Sequence, residues 1–351
     1  MPRRAAAISH AVDLSAYSNY VVSRIVGLLD SVDADLYSAI LTALEKMPVN
    51  DFSMSRLENL LASVRTVNAD AYRVLDAELG DRMIELLSAE LDFQTRLVGS
   101  PDVRAVPIET AWSAAVKQPI RGRLLSDWAS SLEAGRAQRI QQALSIGYVE
   151  GKTVPKMVRT LRGTRSENYT NGLLNIDRRN AEAVVRTVTA HFAASAREQV
   201  YAANEDVIDH VIWMSTLDMR TSEICQIRDG AEYTLEGKPI GHSMPWLGGP
   251  GKAHWNCRSH SSPVLKDGPI DLSKGRVRTS VDGPVPGTTT FAGWIAKQSA
   301  ARQNEVLGPT RAALMRQGKY KLPQFYDNKG RFLTIEQLRS SDEATFKELG
   351  L

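Results

Sequence analysis

Both cysteines of the chain, Cys225 and Cys257, and three of its six histidines, His242, His254 and His260, fall within 213–263. The same stretch is rich in Gly/Pro turns and shows neither a helical nor a sustained alternating apolar period, so it has little regular structure of its own to hold it. A segment of this kind needs a staple. His254 and Cys257 are three positions apart, within one turn's reach, and Cys225 lies across the loop. Two chemistries use these side chains, a metal clip and a cysteine pair. Zinc takes four ligands. Cys225, His254 and Cys257 supply three, and the fourth falls to His242, His260, Asp229 or Asp218. The alternative is a Cys225–Cys257 pair, which would close a loop of about 30 residues and contribute roughly 3–4 kcal/mol in the chain-entropy model. Plain buried thiols are the third possibility.

Around this window the chain reads as helix. Val21, Val22, Ile25, Leu28, Leu29, Val32, Leu36, Ile40 and Leu44 recur at helical spacing, and Pro48 and Asn50 interrupt the run. A second stripe runs from Leu57 through Leu61, Val64, Ala71, Leu75, Leu79, Met83, Leu86 and Leu91 to Leu97. As one helix it would be about 65 Å long. So narrow a stripe needs a partner, and the first helix folding back on it provides one. After a proline-bearing linker at 99–107, residues 108–205 are again mostly helical, with a helix-turn-helix-like passage over 127–162. Residues 207–214 have the β-branched content of a strand, and 262–265 can close the module with another. The expected fold is therefore α-rich and α+β. It comprises a long N-terminal helical hairpin over 1–105, a helical middle domain over 106–206 and a small α+β Cys/His module over 207–265. A linker over 266–290 and a helical C-terminal extension over 291–351 complete it.

Composition narrows the function. A net charge of +3 on 351 residues is close to balance and argues against bulk polyelectrolyte binding. Two cysteines exclude a disulfide scaffold. The apolar stretch behind the basic residues 3 and 4 is too short for a signal peptide, and no run approaches the length of a membrane span, so a soluble chain is expected. Locally, 151–190 is basic. Lys156, Arg159 and Arg162 step by three along a short helix, as a face laid along DNA phosphates would. Gly248-Gly249-Pro250-Gly251-Lys252 lacks the spacing of a phosphate loop and reads as a flexible turn. Asp218, Arg220 and Arg258 sit beside the Cys/His group. No placed base with its orienter accompanies them, so they are expected to staple turns. Trp213, Trp246 and Trp255 are expected to pack the module's small core.

The motif D-x-R-T-S-x-x-C, then D-G, then H-x-x-C-R-S and a nearby proline is carried by Asp218, Arg220, Thr221, Ser222, Cys225, Asp229, Gly230, His254, Cys257, Arg258, Ser259 and Pro263. It resembles the head-morphogenesis or minor head proteins of tailed phages, the Mu F-like family. The resemblance is strongest over 110–265 and weaker over 303–311. Some relatives carry C-R-C where this chain has Ser259, so a site needing three cysteines is not available. The resemblance implies a non-enzymatic virion protein, assembled in the host cytoplasm and present in the phage head near the portal in multiple copies. Its partners would be the portal and other head proteins, with non-specific contact to genome DNA, no membrane, and Zn2+ as the cofactor the residues suggest. A metal-dependent nuclease using His254 and a DNA-binding regulator are the competing classes.

Overall fold

The computed structural model describes residues 3–45, 54–99, 103–150, 152–266 and 277–351. Pro48, Asn50 and the linker residues 100–102 and 267–276 lie outside them. In chain order the elements are α1 (Arg3–Glu45), α2 (Met54–Val98), α3 (Ile108–Lys117), α4 (Leu125–Val149), α5 (Val154–Arg162), α6 (Leu173–Ala203), β1 (Ile208–Met214) and α7 (Glu223–Arg228). There follow β2 (Glu232–Tyr233), β3 (Pro239–Ile240), β4 (His260–Leu265), β5 (Val277–Ser280), β6 (Gly283–Pro286) and α8 (Phe291–Ile295). The last are α9 (Ala300–Leu307), α10 (Pro309–Arg316), α11 (Ile335–Ser341) and α12 (Glu343–Leu349). Among the described residues no helix is long and apolar enough to cross a membrane.

The chain forms two compact units, one of 16–86 with 116–189 and one of 1–15, 87–115 and 190–351. In the first, helical unit, α1 and α2 run antiparallel. Arg24 pairs with Glu78 at 3.1 Å, and the Tyr17 hydroxyl donates to the Arg82 carbonyl at 2.6 Å. The hairpin is not a free arm. Leu36, Ile40, Leu61 and Val64 share one core with Ile140 and Leu144 of α4, Met157 and Leu161 of α5, and Leu174 of α6. The partner that the narrow stripe requires is thus α1 together with α4–α6, and the boundary expected at 105/106 is replaced by a shared core. Charge reinforces the apolar contact: buried Arg136 of α4 pairs with Asp33, while Arg178 of α6 reaches Asp30 at 2.5 Å and Asp33 at 2.7 Å.

The second, mixed unit holds the C-terminal half of α6, where Phe192, Ala193, Ala194, Ala196 and Val200 are buried. Its antiparallel sheet has the order β3-β2-β1-β4. Strand β1 lies where its β-branched residues predict it. Its partner β4 starts at His260, two residues before the expected strand, and pairs Met214 with His260 and Val211 with Pro263. Both edge strands contain a proline, Pro239 in β3 and Pro263 in β4, as befits edges. The stretch expected as a linker over 266–290 holds the β5–β6 hairpin, whose Pro284 and Pro286 disguise it as loop. The C-terminal helices close a core of Phe291, Trp294, Ile295, Leu307, Leu314, Phe325, Leu338 and Phe346. The capping box of Thr334 and Gln337 is formed, and Asp342 then separates α11 from α12.

Candidate metal centre

Helix α7 begins after Ser222, which places Cys225 on its first turn with its side chain buried. The loop before it is fixed by Asp218. Oδ1 accepts the Arg220 N–H at 3.0 Å, and Arg258 donates from two guanidinium nitrogens, at 2.5 Å to Oδ2 and 2.8 Å to Oδ1. Burial works to raise the Asp218 pKa, but the Arg258 hydrogen bonds outweigh it and hold the carboxyl below its usual range. Arg258 therefore ties the segment after Cys257 to the segment before Cys225. Arg220 contributes only its backbone N–H to that staple, and its side chain is exposed, unlike the expectation from sequence.

Between His254 and Cys257 the chain reverses through Asn256, whose φ of 55° is a left-handed value that asparagine tolerates. The turn brings three donors together: Cys225 Sγ, Cys257 Sγ and a His254 nitrogen all lie within 4.8 Å of one another. His254 Nε2 is 3.0 Å from Cys225 Sγ and 2.8 Å from Ser222 Oγ. The two sulfurs are 3.8 Å apart and both thiols are free. A tetrahedral zinc with bonds of about 2.3 Å to sulfur sets its sulfur atoms about 3.8 Å apart. His254 Nδ1 lies 2.8 Å from the Trp255 carbonyl oxygen, which can only accept, so the proton sits on Nδ1 and Nε2 presents its lone pair to the sulfurs. Gly251 donates its N–H to Cys257 Sγ at 3.2 Å. The hydrogen bond between the two thiols, with burial second, raises the Cys225 pKa, and the same bond lowers that of Cys257. These residues fit a zinc-type ion at three positions.

Of the four residues considered for the remaining position, His242, Asp229 and Asp218 are engaged elsewhere. His242 Nε2 donates to the Glu232 carbonyl at 3.0 Å while its Nδ1 accepts the Met244 N–H. His260 is on β4, its pKa pushed down to about 3 by burial first and by Arg197 second. Asp229 accepts from Arg278 and from the N–H groups of Ser215 and Phe291, and Asp218 is held by Arg258. No feature of the sequence points to Arg278, which falls inside the expected linker. Ser222 was in view only as part of the motif.

Residues 138–262 match the family model described as Phage Mu protein F like protein. Over this segment the chain is Mu F-like. No curated protein and no solved structure gives a significant match. The Mu F-like segment runs from α4 to β4 and includes every member of the Cys/His group.

Other parts of the Mu F-like segment are packed more tightly than their composition implies. A Cβ on Gly249 would lie 2.4 Å from the Trp246 ring, and one on Gly251 would meet the Ala190 carbonyl oxygen at 3.0 Å. The Gly-Gly-Pro-Gly loop is thus a packed turn rather than a flexible one. Trp246 stands edge-on to buried Trp213, but Trp255 is exposed and takes no part in the core.

In the helical unit, α5 of the Mu F-like segment buries Met157 and Leu161 and leaves Lys156, Arg159 and Arg162 exposed. Much of the positive charge around it is already neutralised. Lys152 pairs with Glu150, Arg178 with Asp30 and Asp33, and Arg186 with Glu182. Among the described residues, Lys156 and Arg159 have no carboxylate partner, and Arg162 lies over the rings of Tyr37 and Tyr169 at 5.5 and 4.6 Å.

Proposed function

We propose that this chain is a structural component of a tailed-phage head that works by binding rather than by turnover. The observation that carries this is the Mu F-like match over 138–262. The Cys/His group supports it. Both cysteines are buried, and Asp218 and Asp229 are committed to arginines, which suits holding a loop in place more than activating a substrate. In this role the chain resides in the virion near the portal, meets the portal and other head proteins, and assists DNA packaging or ejection. It would be present in several copies. The uncompensated face of Lys156, Arg159 and Arg162 is the part proposed to meet DNA, through phosphates and without sequence preference. Zinc, held by Cys225, His254 and Cys257, would fix the loop.

Deletion of the gene in the phage tests this. Shells and a working packaging motor are expected, with particles defective in infection or DNA retention, and the chain should be found by mass spectrometry in purified wild-type virions. Absence from virions together with wild-type infectivity of the deletion would overturn the proposal. Turnover of a substrate that is lost in a folded Cys225→Ser or His254→Ala variant would move the chain to the enzyme class.

A further inference from the structure

Ser222 occupies an N-cap position, where a serine hydroxyl ordinarily accepts a backbone N–H of the first turn. Thr290, Ser299, Thr334 and Asp342 of this chain all do so. Ser222 has the extended backbone of a cap, φ −66° and ψ 154°, yet its side chain caps nothing. Its hydroxyl is turned to the Cys/His group instead. It sits 2.8 Å from His254 Nε2. In the tautomer fixed by the Trp255 carbonyl, Nε2 has one lone pair, and two donors face it, the Ser222 hydroxyl and the Cys225 thiol. Cys225 Sγ also lies 3.8 Å from Cys257 Sγ, and either thiol can donate across that contact. Four electron-rich atoms, one oxygen, one nitrogen and two sulfurs, thus converge on one space, an arrangement that suits a cation.

We propose that Ser222 Oγ is the fourth group of a divalent-metal centre formed with Cys225, His254 and Cys257. This rests on the metal reading above and adds to it the residue that completes the coordination. An oxygen at this position gives a donor set of two thiolates, one imidazole and one hydroxyl, neutral at the serine, in place of the all-Cys/His sets of structural zinc sites.

The test is metal titration of the full-length chain, purified free of metal, with Co2+ followed by absorption and Zn2+ followed by competition with a chelating dye. Wild type should bind one equivalent and give the intense visible bands of four-coordinate cobalt with thiolate charge transfer. Ser222→Ala should weaken Zn2+ binding about tenfold or more and shift the cobalt bands, because a weaker or absent fourth donor changes the ligand field. Ser222→Cys should strengthen binding by about tenfold or more and add charge-transfer intensity from a third thiolate. Circular dichroism of the metal-free variants should match wild type, since no cap is lost. If both Ser222 variants keep wild-type affinity and spectrum while Cys225→Ala abolishes binding, the metal centre stands and the role of Ser222 is overturned. If wild type binds neither ion, the metal reading itself fails and the proposal with it.

Discussion

The Asp229 side chain is fully buried, and four donors converge on it. Arg278 donates from Nη1 at 2.9 Å and Nη2 at 2.9 Å, and the N–H groups of Ser215 and Phe291 donate at 2.6 Å each. These residues belong to the end of β1, the β5–β6 hairpin and the first turn of α8, so one carboxylate joins three parts of the mixed unit. Asp229→Ala removes it and strands a guanidinium whose side chain is only 11% exposed, together with two N–H groups. Each orphaned N–H costs about 1–3 kcal/mol. Arg278 keeps the carbonyls of Thr289 and Ser215 as acceptors, which softens its loss. Breaking a buried pair from one side typically costs about 3–5 kcal/mol, and that is the expected total. Asp229→Asn retains one acceptor oxygen and should cost about half as much. Asp229→Ala combined with Arg278→Leu should recover part of the loss. Urea unfolding followed by tryptophan fluorescence reads the effect, with Asp92→Ala as control. Asp92 forms an exposed pair with Arg96 and should change stability by less than about 1 kcal/mol. An Asp229→Ala protein within about 1 kcal/mol of wild type would refute the assignment of this carboxylate as a junction.

His191 is buried and His260 half-buried, with pKa values pushed down to about 4 and about 3, loss of solvation being the main cause in both. Unfolded, each titrates near 6.5. The unfolded chain therefore binds protons first, and stability present above about pH 6.5 should decline toward about pH 4 by up to about 1.4 kcal/mol per pH unit for each group. His260→Gln should flatten that slope in pH-dependent denaturation, and an unchanged slope would argue against a neutral imidazole in the folded chain. Lys156→Glu, Arg159→Glu and Arg162→Glu together should reduce the slope of log affinity against log salt by about 2.7 for duplex DNA, three phosphates at about 0.9 each. A wild-type slope in the folded triple variant would remove DNA from the partners. Gly251→Ala forces a side chain to a φ of 92° against the Ala190 carbonyl and should lower the thermal midpoint of the metal-free protein by several degrees, as a strained position costs on the order of 1–3 kcal/mol. An unchanged midpoint would mean that the turn is looser than its contacts imply.

Long period-3.6 patterns made α1 and α2 legible, because each stripe is written in one continuous stretch of chain. What the stripes could not name was the rest of their partners: Leu36 and Val64 are apolar whether they meet another helix of the hairpin or Ile140 and Leu161. The metal-binding candidates were legible for a different reason, since Cys225, His254 and Cys257 are rare residue types drawn into one window. The sequence leaves His242, His260, Asp218 and Asp229 open, because the engagement of His242 and Asp229 depends on tertiary neighbours such as Glu232 and Arg278. Ser222 does not stand out in the sequence, since a serine before a short helix ordinarily signals a cap, and only the structure turns its hydroxyl toward His254. The β5–β6 hairpin was hidden by its prolines, which are allowed there because a two-stranded ribbon has only edges.

The prolines at the two margins of the larger sheet bear on how copies of this chain can meet. Lys266 donates its N–H inward to Val207, so by alternation position 263 faces outward, where Pro263 has no N–H to offer an incoming strand. At the opposite margin β3 is two residues long and begins with Pro239. Strand addition, a ready route to polymerisation for crowded β proteins, is blocked at both ends. Many chains brought together at high local concentration would then have to associate through helices and side chains, which confines them to contacts of defined geometry and keeps the sheet from seeding fibres.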